Sequence, residues 1–305
     1  MAKILVSDPI EKEGIDLLRK GGHEVEERLE LKPEELVQCI VYYDGIIVRG
    51  ATKVTEKVIE AGKRLKVIAR AGVGLDNVDQ ESAKKRDIRV LNTPEATSIS
   101  VAELTIGHLL AILQNIPYGT SSLKAGRWEK KKMKGKEALG KTLGLIGIGR
   151  IGTEVAKRAL ALHMKVLATD PNVDAKKKGL EGVEMVSLQE IMERSDVISL
   201  HVPLTPETHH ILSREEFQMM KDGVYVINCA RGGVVDEEAL YEALQSGKVA
   251  GAALDVYEKE PPTDYKLFAL ENVIGTPHIG ASTEEGQYRA GIEVAKKVLE
   301  FFKVR

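Results

Sequence analysis

Among 305 residues there are only two cysteines and one tryptophan. Cys39 and Cys229 have neither metal-ligand nor redox spacing and cannot build a disulfide framework, so no metal site is expected. No apolar run approaches the roughly 18 residues of a membrane-spanning helix. The N-terminus, Met-Ala-Lys-Ile-Leu-Val-Ser-Asp, reaches Asp8 without a secretory hydrophobic stretch and reads as a first strand. An excess of one charge sign is also missing. Lys and Arg number 44 against 46 Asp and Glu, a formal net charge of −2, which gives no global pull toward nucleic acid or an anionic membrane. Any anionic ligand must be gathered by local basic residues. A cytoplasmic protein acting on a small molecule, with no nucleic-acid or membrane partner, is the expectation. Fixed-period repeats and low-complexity linkers are absent too. Plentiful lysine and glutamate beside scarce cysteine is a mild thermophile-like signal, which ordinary surface composition explains equally well.

What is present is a long alternation of strands and helices in a chain whose length suggests about two domains. Lys3 to Ser7 reads as a strand, and Ile10 to Leu18 as a helix that Gly21-Gly22 stops. Further strands are expected at 45–48, 66–69 and 88–91, with helices near 33–40, 55–61 and 78–85 between them. This alternation argues for a parallel sheet covered by helices. Asn92-Thr93-Pro94 interrupts it. A long apolar helix over about 98–114 follows, then a charge-rich segment, 124–136, containing Trp128. A second series places strands at 142–147, 165–169, 197–200, 224–228, 250–254 and 273–275, and a last helix over about 283–302.

Between the strand ending at Gly147 and a helical run read from Glu154 lies Gly147-Ile148-Gly149-Arg150-Ile151-Gly152. In such a pattern the first glycine makes a tight turn and the second lets backbone approach a pyrophosphate. The third allows close helix–strand packing, and the helix N-terminus offers N–H groups and partial positive charge. A glycine-rich turn alone would mean little. Here the next strand ends in Asp170, 21 residues beyond Gly149, where a carboxylate accepts hydrogen bonds from an adenosine ribose and repels a 2′-phosphate. The cofactor implied is NAD. Lys176, Lys177 and Lys178 could soften that preference and are read as a solvated helix face.

Three later segments sit at strand ends. Arg231 follows the strand 224–228, Glu260 precedes Pro261-Pro262, and His278 follows Thr276-Pro277. Ligands of open α/β sheets bind at such carboxyl edges. Hydride transfer at C2 of a hydroxy acid needs a base for the hydroxyl proton, a carboxylate to orient and stabilise that base, and a forked cation for the substrate carboxylate. His278, Glu260 and Arg231 are of those types. Taken singly, each has a structural reading. Together, downstream of a dinucleotide fingerprint, they point to chemistry.

These segments give the chain a resemblance to the D-isomer-specific 2-hydroxyacid dehydrogenases that covers nearly its whole length. It rests on 147–152, on Asn228-Cys229-Ala230-Arg231-Gly232-Gly233, and on Thr276-Pro277-His278-Ile279-Gly280-Ala281-Ser282-Thr283. The segments 48–55, 69–79 and 128–135 are most similar to the branch of that family that oxidises D-3-phosphoglycerate at the entry to serine synthesis. The resemblance implies a flavodoxin-like substrate domain, 1–97 plus 283–305, and an inserted Rossmann domain, 98–282, in an α/β protein with two parallel sheets. It implies Arg231 for substrate, Glu260 and His278 as the acid–base pair, and Arg150 and Ile151 at the pyrophosphate. Val202, Pro203 and Thr208 would line the adenosine side, with Cys229, Ala230, Asp255, Gly280 and Ala281 near the nicotinamide. Val73 and Gly74 would offer backbone N–H groups to the substrate, and Arg49 and Arg70 are the candidate ligands of its phosphate. A homodimer through the cofactor domain is implied, using the helix near 98–114 and the Trp128 region. Two departures stand out: Thr97 occupies a position where members often carry Asn, and the chain ends at Arg305 without the serine-binding regulatory domain of longer relatives. No serine feedback by that route is therefore expected. Alternatives on the same scaffold are a hydroxypyruvate or glyoxylate reductase or another D-2-hydroxyacid dehydrogenase. From another class there is an NAD-sensing corepressor-like binding protein.

Overall fold

The computed structural model describes residues 1–173 and 179–303; Lys176, Lys177, Lys178 and Arg305 lie outside the described residues. By contacts the chain divides into two compact units, Met1–Ser98 with Ala281–Arg305, and Ile99–Gly280.

The first unit alternates β1 (Lys3–Val6), α1 (Lys12–Lys20), β2 (Glu24–Glu27), α2 (Pro33–Cys39), β3 (Gly45–Val48), α3 (Glu56–Ala61), β4 (Val67–Arg70), α4 (Gln80–Lys85) and β5 (Arg89–Asn92). Its described strands form one parallel sheet in the order β2-β1-β3-β4-β5. This is the flavodoxin-like order, with its reversal point between β1 and β3. Leu5, Ile46 and Ile68 point to one face, against Leu36, Val58 and Ile59 of α2 and α3. Ile4, Val6 and Ile47 point to the other, against Leu18 of α1 and Val294 and Val298 near the chain's end. Each such side chain withdrawn from water contributes about 1.5–3 kcal/mol.

The second unit opens with α5 (Ser98–Leu113) and α6 (Ile116–Lys124). It continues through β6 (Thr142–Ile146), α7 (Arg150–Ala161), β7 (Lys165–Thr169), β8 (Val183–Met185), α8 (Leu188–Arg194), β9 (Val197–Leu200), α9 (Arg214–Met219), β10 (Val224–Asn228), α10 (Glu237–Gln245), β11 (Val249–Leu254) and β12 (Val273–Gly275). The chain then returns to the first unit as α11 (Glu284–Lys303). The second sheet runs β12-β11-β10-β9-β6-β7-β8, parallel throughout. Its order reverses between β6 and β9, and in such sheets ligands bind beyond the carboxyl ends of the strands at that point. Alternation along β10 sends Val226 to one core and Ile227 to the other, which keeps the sheet covered on both sides.

Among the described residues no single helix is long and apolar enough to cross a membrane; α5 and α6 pass such a test only as a pair bent by 66°. Four features differ from the expectations above. The edge strands β2 and β8 and the helix α6 were not anticipated. In addition, α7 starts at Arg150 rather than at Glu154, because Gly152 lies inside its first turn and masks the helical pattern.

Candidate active site

At the reversal point of the second sheet, β6 runs into the glycine turn. Gly147 has φ +94°, and its missing Cβ leaves room for the His201 carbonyl and the Val202 side chain arriving from the end of β9. A Cβ on Gly152 would collide with the Gly147 carbonyl oxygen, so α7 can pack this closely on its strand only as glycine. Gly149 is the N-cap of α7, and a Cβ there would meet nothing within 4 Å. Backbone can therefore be approached closely at Gly149, and the dipole of α7 favours an anion at this end. Asp170 lies against the same turn, its Oδ2 accepting from Ile148 N–H at 3.0 Å and its Oδ1 from Asn172 N–H at 2.9 Å. Carboxylate, helix N-terminus and glycine floor fit the ribose and pyrophosphate of a dinucleotide. The loop after β9 is held by Thr208, whose hydroxyl donates to the Pro203 carbonyl (2.6 Å) and accepts from Thr205 N–H (2.8 Å).

Farther along the same sheet edge, Arg231, Glu260 and His278 are brought together by backbone contacts. Asn228 closes the turn after β10: its Oδ1 accepts from Ala230 N–H (3.0 Å) and its Nδ2 donates to the Arg231 carbonyl (2.9 Å). The Arg231 guanidinium donates to the Ala230 carbonyl at 2.6 Å. Next to it, a Cβ on Gly232 would overlap the Tyr257 carbonyl. Tyr257 then donates its N–H to Glu260 Oε1 (3.1 Å) and its hydroxyl to the Thr276 carbonyl (2.8 Å). Tyr257 thus ties all three loops. The last loop is fixed by buried Asp255, which accepts from the Thr276 hydroxyl (2.5 Å) and from the N–H groups of Ile279 and Gly280 (both 2.8 Å). Between those anchors His278 adopts φ +52°, a left-handed conformation held by its surroundings. Its Nδ1 lies 2.7 Å from Glu260 Oε2.

The electrostatics follow from that pair. The hydrogen bond to Glu260 holds the His278 pKa above its ordinary 6.5; burial opposes this, the charges of Glu260 and Asp255 assist, and Arg231 opposes. Burial would raise the Glu260 carboxyl, but the hydrogen bond and charge of His278, the Tyr257 N–H and the Arg231 charge bring it below its ordinary value. With Nδ1–H given to Glu260, Nε2 is left to exchange a proton with a ligand. Burial pushes the Cys229 thiol up to about 12, which disfavours its thiolate. Ala230 is buried beside it. Tyr257 and Asn228 were missed in the sequence because neither carries chemistry; a polar residue in a strand-end turn was the only signal.

The first unit holds the other expected residues. Its sheet reverses between β1 and β3, where buried Asp8 accepts from Arg49 N–H (2.6 Å), Thr52 N–H (3.1 Å) and the Thr52 hydroxyl (2.6 Å). Arg70 Nε donates to the Arg49 carbonyl at 2.9 Å and another guanidinium nitrogen to the Gly74 carbonyl. Asn77 also donates to the Arg49 carbonyl, at 3.0 Å, and Asn92 Nδ2 to that of Val73 (2.6 Å). Arg49, Arg70, Val73 and Gly74 are therefore neighbours at one strand edge. Thr97 is buried with its hydroxyl lacking a hydrogen-bond partner, and Ala281 opens the second segment of this unit.

The model of the D-isomer specific 2-hydroxyacid dehydrogenase NAD-binding domain matches residues 106–280. The chain is 53% identical over 299 residues to the D-3-phosphoglycerate dehydrogenase of Methanocaldococcus jannaschii, covering 98% of this chain and 57% of that protein. It thus spans little more than half the length of that relative. It is 55% identical over 302 residues to the hydroxypyruvate reductase of Thermotoga maritima, with 98% of this chain and 97% of that protein covered. Among solved structures, D-lactate dehydrogenase of Aquifex aeolicus, complexed with NAD and lactic acid, superimposes with a TM-score of 0.84 at 34% identity, covering 99% of this chain and 96% of that one. All three are named as enzymes, which does not favour the corepressor-like reading.

Proposed function

Because this chain belongs to the D-isomer-specific 2-hydroxyacid dehydrogenases and carries their NAD-binding domain, we propose that it oxidises D-3-phosphoglycerate to 3-phosphohydroxypyruvate, the entry step of serine synthesis. The unit 99–280 takes the cofactor and the unit formed by both chain ends takes substrate. Bound NAD would supply the hydride acceptor; binding, orientation and proton transfer fall to the chain's own backbone and side chains. Arg231 grips the substrate carboxylate through its planar fork. His278 receives the C2 hydroxyl proton on Nε2, and Glu260 stabilises the resulting imidazolium across the 2.7 Å bond. Gly147, Gly149, Gly152, Arg150 and Ile151 receive the pyrophosphate, and Asp170 the ribose. Val202, Pro203 and Thr208 line the adenosine side; Cys229, Ala230, Asp255, Gly280 and Ala281 lie toward the nicotinamide.

The observation that supports the phosphorylated substrate is that Arg49 and Arg70 follow one another at neighbouring strand ends of the first sheet, the Arg70 guanidinium donating to the Arg49 and Gly74 carbonyls and the Arg49 guanidinium to that of Pro9 (3.4 Å). Two guanidiniums at one strand edge suit a phosphate in a chain of near-zero net charge. Arg49 carries the cleaner test, because Arg70 also braces the loop. Arg49→Ala is expected to raise KM for D-3-phosphoglycerate about ten- to a hundredfold, the value of one or two charge-assisted hydrogen bonds, with little change for unphosphorylated D-2-hydroxy acids. Equal loss on both substrate types would remove the phosphate assignment. The second reading, a hydroxypyruvate reductase, is favoured by the relative matched over 97% of its own length. It predicts that wild-type kcat/KM is highest with unphosphorylated hydroxypyruvate.

A further inference from the structure

Helix α5 buries a histidine that the mechanism above does not use. His108 is 5% exposed, with Nε2 3.3 Å from the Thr276 hydroxyl and Nδ1 3.6 Å from Cys229 Sγ. The direction of the first bond follows from what Thr276 does with its only proton. That hydroxyl donates to Asp255 Oδ1, so it can only accept from His108. The imidazole therefore carries its proton on Nε2, and its Nδ1 lone pair faces the Cys229 thiol. Burial lowers the His108 pKa against the pull of the Asp255 charge, which favours the neutral ring. The chain of bonds ends on the loop of the general base, since Asp255 also holds Ile279 and Gly280, the residues directly after His278.

We propose that His108 is a positioning residue for the general base: through Thr276 it orients the Asp255 carboxylate, which fixes the His278 loop against Glu260. The proposal rests on the dehydrogenase reading above. It explains why an apolar helix carries a buried imidazole at that one place, where a leucine would fill the volume without a donor. Loosening the loop would weaken the His278–Glu260 bond and let His278 titrate nearer its ordinary value. The groups facing His278 are Glu260 before Pro261, Asp255 after β11 and Arg231 after β10; those facing His108 are Asp255 and Cys229.

The test is the pH dependence of NAD reduction by wild type, His108→Leu, His108→Gln, Thr276→Val and the Leu/Val double variant, with the hydroxy acid that wild type turns over best. His108→Leu and Thr276→Val are each expected to lower kcat about tenfold while KM for NAD stays within about twofold. Both should move the acid-limb pKa of kcat down toward 6.5. The double variant should be no worse than either single one, because both cut the same chain. His108→Gln, which returns an amide N–H near the place of Nε2, should recover most of the loss. A merely structural histidine would lower Tm and the active fraction and leave the pKa of the surviving enzyme unmoved. That result, or additive losses in the double variant, overturns the proposal; should His108→Leu fail to fold, an unshifted pKa in Thr276→Val does the same. A wild type that turns over no 2-hydroxy or 2-oxo acid overturns the dehydrogenase reading itself, before any variant is made.

Discussion

The His278–Glu260 pair ties catalysis to pH through opposite shifts of its two members. Oxidation needs His278 neutral, so its rate should rise with pH through a pKa held above 6.5 by Glu260. Reduction needs the imidazolium and should fall over the same interval, so the two profiles cross. Glu260→Gln keeps the shape and removes the charge. With burial and Arg231 then unopposed by that charge, the oxidative limb should move to lower pH. Maximal kcat should fall about a hundredfold, near the lower end of what a positioned acid–base group contributes. His278→Ala should lose more and show no such limb. A Glu260→Gln profile superimposable on wild type would exclude the pairing. The pair also affects stability with a definite sign. For His278, whose pKa is raised, the contribution is complete below 6.5 and is lost as pH rises through the raised value. For Glu260, whose pKa is lowered, it is present above 4.5 and lost as pH falls through the lowered value. Both side chains are partly open to solvent, so screening keeps this contribution small.

At the scale of elements, three loops at strand ends must register with one another, and the contact of Gly232 with Tyr257 sets that register. Gly232→Ala would push the Arg231 turn off the Tyr257 carbonyl, and Tyr257 holds both Glu260 and the Thr276 carbonyl. A displacement near 1 Å in a reacting constellation costs about a hundredfold. The variant is expected to lose about that much kcat/KM for the hydroxy acid while NAD still binds, as calorimetry would register, because the glycine turn after β6 is untouched. Unchanged kcat/KM would show that the contact is incidental. Much of this level was legible in the sequence: β3, β9 and β10 lie where apolar runs placed them, because central parallel strands are buried on both faces. What was not legible lies at the sheet edges. In β2, Glu24-Val25-Glu26-Glu27, no residue is fully buried, so no hydrophobic period marks it; β8 is three residues long; α6 contains Pro117 and Gly119. The chemistry-bearing residues stood out by type and spacing. Tyr257, Asp8 and His108 did not, since a residue whose work is to hold another shows itself only in the folded contact.

Over the whole molecule, each unit carries its own sheet with its own reversal point, and the expected ligands of each unit stand at that point or along the same carboxyl edge. The remaining surface of the cofactor unit has a different character. Ile116 and Leu123 of α6 are 54% and 59% exposed, Trp128 is 80% exposed and Leu139 is 65% exposed. On α5, by contrast, only Ile99 is an exposed large hydrophobic, while Val101, Ala102, Leu109, Ile112 and Leu113 are buried within the unit, so most of that helix's apolar side is spent internally. Exposed aromatic and aliphatic side chains on consecutive elements mark an interaction surface. We propose that α6 and the Trp128 segment, rather than the core-facing side of α5, supply the contact of a homodimer. The wild type should sediment at twice the chain mass, and its Tm should rise with protein concentration. Leu123→Glu with Trp128→Glu places two charges on the patch and should shift the protein to monomer at micromolar concentration. The cofactor turn would stay intact, so NAD binding should survive the dissociation. A wild type that is monomeric at all concentrations, or a double variant that remains dimeric, would place the contact elsewhere and leave this patch to another partner.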